Sequence, residues 1–138
     1  MWQIAAGLAL AGGYVGAKGA MAAGKAGYTA GQVEYHQELE KTHYEAKIMQ
    51  RQALQNLHMQ FAQSGASGVA VATGSPMLVG IKVLTDLTED KAQLYRNGAK
   101  NAQKFWMAGA DKFSAGQSKA TGSLLAGLSG ASSSYANR

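Results

Sequence analysis

Apolar and polar positions divide the 138-residue chain into helical stretches and one break. The strongest helical signal runs from Gln32 to Gln63, a stretch without Gly or Pro that is rich in Glu, Gln, Lys, Leu, Met and Ala. Straight-chain residues and Ala keep most of their freedom in a helix, so this stretch is predicted helical. Leu39, Ala46, Ala53 and Leu57 share one face, with His43 and Met49 beside it. The seam is thin and Ala-rich, and it suits another helix better than a large core.

A second periodic stretch begins at Pro76 and extends to about Ala115. Ile81, Leu84, Leu87, Leu94, Gly98, Ala102 and Phe105 form an apolar stripe at helical spacing, interrupted by Lys91 and Asn101. Asp86, Glu89 and Asp90 stand towards its front, and Arg96, Lys100 and Lys104 towards its back. That polarity agrees with the helix dipole, whose influence fades beyond the end turns. Between the two stretches lies SGASGVAVATGS, residues 64–75. Gly65, Gly68 and Gly74 are expected to break the helix, and Val69-Ala70-Val71 to form a brief extended piece. Ser75 reads as an N-cap and Pro76 as the first helical position, so Gly74, Ser75 and Pro76 form a hinge turn.

Residues 1–31 are different again. They are small and apolar, with no charge before Lys18. Gly12, Gly16, Ala20 and Gly24 recur every four positions, and so do Ala5, Ala9, Gly13 and Ala17. Such rows let helix backbones approach closely, as they do in lipid. The uncharged run of 17 residues is at the short end of what spans a bilayer. Trp2, Tyr14 and Tyr28 suit interfacial anchoring, and Lys18 suits snorkelling. Membrane contact and tight packing in a protein assembly both remain open for this segment. Ile4–Ala11 resembles a signal peptide only loosely, because no positive residue precedes it. At the other end, residues 116–138 form a Gly/Ser-rich tail, expected to be frayed or extended in its last ten residues. Leu124, Leu125 and Leu128 offer a continuation of the helix.

Composition changes this picture in one respect. The chain has 18 Gly, 3 Phe, 2 Trp and no Cys. Small side chains bury little area, at roughly 25 cal/mol per Å², so a core of Ala and Gly is weak. The expected fold is therefore all-α: an elongated helical hairpin of two long helices joined by a Gly-rich turn, assembling as a homo-oligomer. At 1.5 Å per residue the arms reach roughly 60–90 Å.

Chemistry-bearing groups are sparse. His36, Glu40 and His43 share a helix face, but a di-metal site needs a second such half and further carboxylates, which the sequence lacks. No metal site and no cofactor is expected. No serine stands in a nucleophile elbow, and no Gly-Lys-Ser/Thr follows the Gly-rich pieces. The chain is expected not to be an enzyme. Net charge is +5, and residues 91–138 hold seven bases against Asp111 alone. Arg96, Lys100 and Lys104, extended loosely by Lys112 and Lys119, form a basic stripe. It reads as a solubilising face or as a non-specific nucleic-acid contact. Phe105 and Trp106 stand beside it as core residues or as a stacking platform.

The order of features carries a resemblance. A small-residue apolar N-terminus precedes a Gln/Glu/Ala helix, then SGASGVAVATGSPMLV at Ser64–Val79, a charged helix and a Gly/Ser tail. Over roughly residues 1–115 the chain resembles the small internal virion proteins of short-tailed bacteriophages, also called DNA-ejection or internal core proteins. The turn, with its S-G-V…G-S-P pattern, is the most specific part, and the N-terminal segment is more Gly-rich than the family pattern. The resemblance implies a protein held inside the capsid near the portal, beside other core or ejection proteins and portal or tail proteins. It implies release ahead of the genome and a multimeric conduit across the host envelope, acting at the bacterial outer membrane. No catalytic residues carry over. The alternatives are a structural virion adaptor near the portal or tail, and a DNA-associated packing protein.

Overall fold

A computed structural model describes residues 2–68 and 74–136, with side chains described for 7–68 and 74–133. The described residues are all-helical. Two long helices, α1 (Trp2–Ala66, 65 residues) and α2 (Ser75–Ala136, 62 residues), form a helical hairpin. The expected extended piece at Val69-Ala70-Val71 lies outside the described residues.

The helix ends are set by glycines. Gly65 does not break α1, as the sequence suggested; it sits in the last turn, and its carbonyl accepts the Gly68 N–H at 3.1 Å. The break comes at Gly68, whose φ of 78° is left-handed and suits Gly after a helix C-terminus. Gly74, with φ 72°, accepts the Leu78 N–H at 3.3 Å and so provides the first acceptor of α2. Helix α2 thus starts at Ser75, one residue before the expected first position, and Pro76 lies in its first turn, where no N–H is needed.

Two compact units divide the chain. Unit 1 pairs residues 1–35 of the N-terminal arm with residues 103–138 of the C-terminal arm. Its buried positions are small: Ala17, Gly24, Gly31, Gly109, Gly116, Ala120, Gly127 and Ala131. Here the expectation that α2 ends near Ala115 is corrected, since α2 runs on to Ala136. Burial holds this Gly/Ser-rich stretch helical, because its small face is covered by α1. Its hydroxyls are satisfied within the helix, donating to carbonyls of the preceding turn. Ser118 Oγ bonds the Ser114 carbonyl at 3.1 Å, Thr121 Oγ1 the Gln117 carbonyl at 3.1 Å, and Ser129 Oγ the Ala126 carbonyl at 3.0 Å.

Unit 2 pairs residues 36–67 with 75–102 around the closed end of the hairpin. Its seam is larger but still thin. Ala46 and Leu57 are buried, and Leu39, Met49, Ala53 and Phe61 are half-buried. Thr42 is buried against Gly98, and its hydroxyl donates to the Glu38 carbonyl at 2.8 Å. Lys91 Nζ donates to Gln50 Oε1 at 3.2 Å across the pair.

Candidate interaction surfaces

In unit 1 the backbones of the two helices come close together. A Cβ on Gly31 would lie 2.8 Å from the Gly109 Cα and 2.8 Å from the Phe105 carbonyl oxygen. One on Gly116 would lie 2.8 Å from the Gly24 Cα, and one on Gly13 would lie 2.8 Å from the Ser123 carbonyl oxygen. Only glycine fits such positions without a shift of the helices. Four rings flank this approach. Trp106 meets Tyr28 edge-on at 5.5 Å and Tyr35 at 6.0 Å, and Tyr28 meets Phe113 at 5.9 Å.

The residues singled out for packing divide between two sides of α1. Gly24 is buried against α2, Ala20 is half-buried with its carbonyl on Gly116, and Gly16 would place a Cβ 3.3 Å from Ser123 Oγ. Gly12 lies open, with nothing within 4 Å, and Tyr14 is 63% exposed. The Trp2 side chain lies outside the described side chains. The split has a geometric cause: a strict four-residue row drifts about 40° per step at 3.6 residues per turn. The seam instead alternates steps of three and four, passing through Gly13, Ala17, Ala20, Gly24, Gly27 and Gly31. Sequence reasoning missed the matching row on α2. Its signal is present: Gly98, Gly109, Ala120 and Ala131 stand eleven apart and all are buried, a period that keeps one helix face on its partner.

Much apolar surface is left uncovered. Leu8 and Val15 are 68% and 69% exposed, and Tyr44, Met59, Leu78, Ile81, Leu84 and Leu125 are also exposed. No large side chain among the described residues is fully buried. Total accessible surface is 9865 Å² for 14.4 kDa, where a compact monomer of that mass exposes roughly 6,800 Å². No helix among the described residues is long and apolar enough to cross a membrane.

Arg96, Lys100, Lys104, Lys112 and Lys119 are all exposed. The aliphatic stem of Lys112 covers Gly27. Trp106 keeps 42% of its surface exposed while its ring packs on Tyr28 and Tyr35, and Phe105 is at the margin of exposure at 36%. Among the described residues no group of three or more His, Asp or Glu is placed to hold a metal ion. His43 instead has its Nδ1 3.3 Å from the Tyr95 hydroxyl. Gly74, Ser75 and Pro76 adjoin an open groove of about 610 Å³, lined by Phe61, Ser64, Ser67, Ser75, Pro76 and Val79 among others. Its lining carries no titratable side chain, and the Ser64 and Ser67 hydroxyls are spent on backbone carbonyls of α1. The chain matches no family model, no curated protein and no solved structure.

Proposed function

We propose that this chain is a non-catalytic building block that works in many copies: a small internal virion protein of a short-tailed bacteriophage, released with the genome and assembling into a conduit across the host envelope. The observation that carries the assembly part is the uncovered surface. Large apolar side chains stay open, Leu8 and Val15 at 68% and 69%, and no large side chain among the described residues is fully buried, as on surfaces that a partner covers. The phage part rests on the resemblance of residues 1–115 and above all of the Ser64–Val79 turn. The two arguments fit one physical picture. A chain that passes a narrow portal gains from being slender, Cys-free and weakly folded alone, and from acquiring its stability in the assembly.

In this reading lipid contact belongs to the assembled state, through exposed faces such as Leu8 and Val15, and no helix among the described residues is long and apolar enough to cross a membrane. Dye-filled liposomes test it. Leakage and co-sedimentation are expected with the oligomer, and absence of lipid binding in every assembly state would defeat the membrane part. The adaptor reading then takes its place, in which Gly12→Leu and Gly16→Leu disrupt oligomers without any lipid phenotype. A DNA-associated packing role is favoured by one observation, the exposure of Arg96, Lys100 and Lys104 on one stretch of α2. It requires salt-sensitive DNA retention that falls when these three become Gln.

A further inference from the structure

The face of α2 between Asp86 and Lys100 is patterned in a way that neither the seam nor the helix ends account for. Asp86, Glu89, Asp90, Gln93, Arg96, Asn97 and Lys100 are all exposed. At 100° per residue they fall within a sector about 120° wide. Acids occupy its first half and bases its second. Helix α2 runs from Ser75 to Ala136, so the acids stand eleven or more residues from its start and the bases far from its end. The dipole acts only in the end turns and gives no reason for this order.

Within one chain the order brings like charges together. Asp86 and Asp90 are like charges four apart, and so are Arg96 and Lys100; each such pair weakens a helix slightly, and only Lys82, four before Asp86, offsets one of them. The structure gives none of these four residues an ion-pair partner. Between Asp86 and Lys100 the charges are antisymmetric around Gln93: Asp86 and Lys100 lie seven residues to either side and Asp90 and Arg96 three, while Glu89 is matched by the uncharged Asn97 at four. The antisymmetry ends there, because Lys82 and Lys104, eleven residues to either side, are both basic.

We infer that this face is an isologous contact, on which a second copy of the chain lays its own α2 antiparallel across a two-fold axis at Gln93. The inference rests on the self-assembly proposed above and adds its surface and register. The rotation sets Asp86 against Lys100 of the second copy, Asp90 against Arg96 and Glu89 against Asn97, each twice. The Gln93 amides meet at the axis, where each can donate to and accept from the other. The like charges within a helix then become opposite charges between helices. A parallel pairing, by contrast, sets acid on acid and base on base. A polyanion fits this face poorly, because Glu89 stands only about 10 Å along the helix from Arg96. Four turns of helix bury little beside an obligate interface, so the contact sets orientation and register while apolar faces supply area.

Charge-swapped chains test the contact. D86K/D90R carries a face that is basic at four positions, with Glu89 its one remaining acid, and R96D/K100D a wholly acidic one. Sedimentation of full-length protein at low salt is expected to show self-association of each variant weakened by about tenfold or more. Mixing the two is expected to restore association in a 1:1 ratio, which a misfolded variant could not do. Spin labels on Q93C are expected closer to each other than labels on K82C, which the two-fold sets about 33 Å apart along the axis. Wild-type protein that oligomerises while both variants oligomerise equally well overturns this contact and leaves the self-assembly reading standing. Protein monomeric at every concentration overturns both. Loss of DNA retention in R96D/K100D with oligomers intact also overturns it, and assigns the basic half to nucleic acid.

Discussion

Glycine-to-alanine exchange separates the covered side of α1 from its open side, and the two sides predict opposite signs. At Gly31 a Cβ meets the Gly109 Cα and the Phe105 carbonyl oxygen, both at 2.8 Å. Ordinary carbon contacts lie at about 3.5–4.0 Å, so the helices must part by about 0.7 Å or more. No flexible side-chain end is available to yield, because both opposing atoms are backbone. Overpacking of this kind costs about 1–3 kcal/mol. Parting the backbones also loosens the adjacent Tyr28–Trp106 contact. Against this stands a gain of about 1 kcal/mol in helix propensity. The expected net loss for Gly31→Ala is about 1 kcal/mol. At Gly19, where nothing lies within 4 Å, only the propensity gain of about 1 kcal/mol applies. Urea melts followed by circular dichroism, at matched protein concentration, are expected to differ by about 2 kcal/mol between Gly31→Ala and Gly19→Ala. If Gly31→Ala stabilises as much as Gly19→Ala, the close backbone approach in unit 1 is refuted.

Three further outcomes follow from the same geometry. Deleting residues 116–138 removes the atoms that lie against Gly13 and Gly16 and part of those against Gly24, so amide exchange within residues 7–20 is expected to accelerate strongly; unchanged protection there contradicts the pairing. Trp106→Ala removes a ring 42% exposed together with its contacts to Tyr28 and Tyr35, and denaturant melts are expected to show a loss of about 2–3 kcal/mol. Gly98→Ala drives a methyl into buried Thr42 and is expected to cost about 1–2 kcal/mol after its propensity gain, with Thr42→Ala in the same chain recovering part of the loss.

The two-helix architecture is legible in the sequence because Gln32–Gln63 contains no breaker and Ser75-Pro76 announces a start. Ala46 and Leu57, named from periodicity alone, are buried. The C-terminal part of α2 is hidden for a physical reason. Gly116, Gly122, Gly127 and Gly130 each argue locally for a loop, and so do its serines. What overrides them is tertiary: Gly116 and Gly127 lie where the α1 backbone comes close, while Gly122 and Gly130 are exposed on the same helix. Glycine rows of this kind become readable only in pairs, when a row on one arm finds its complement on the other. The same holds for the interaction surfaces. Gly12 and Gly24 look alike in a four-residue row, yet one lies open and the other buried, because that row winds around the helix while the seam does not. The charged face around Gln93 escapes a reading based on helix dipoles because those concern ends, and the true end of α2 lies at Ala136.

Self-association as the source of stability is tested most directly by melting the purified protein across a wide dilution series, with sedimentation velocity at each concentration. Helicity and melting temperature are expected to fall together with the oligomer as the protein is diluted. A monomer that keeps its helices and unfolds in one sharp, concentration-independent transition would contradict the account.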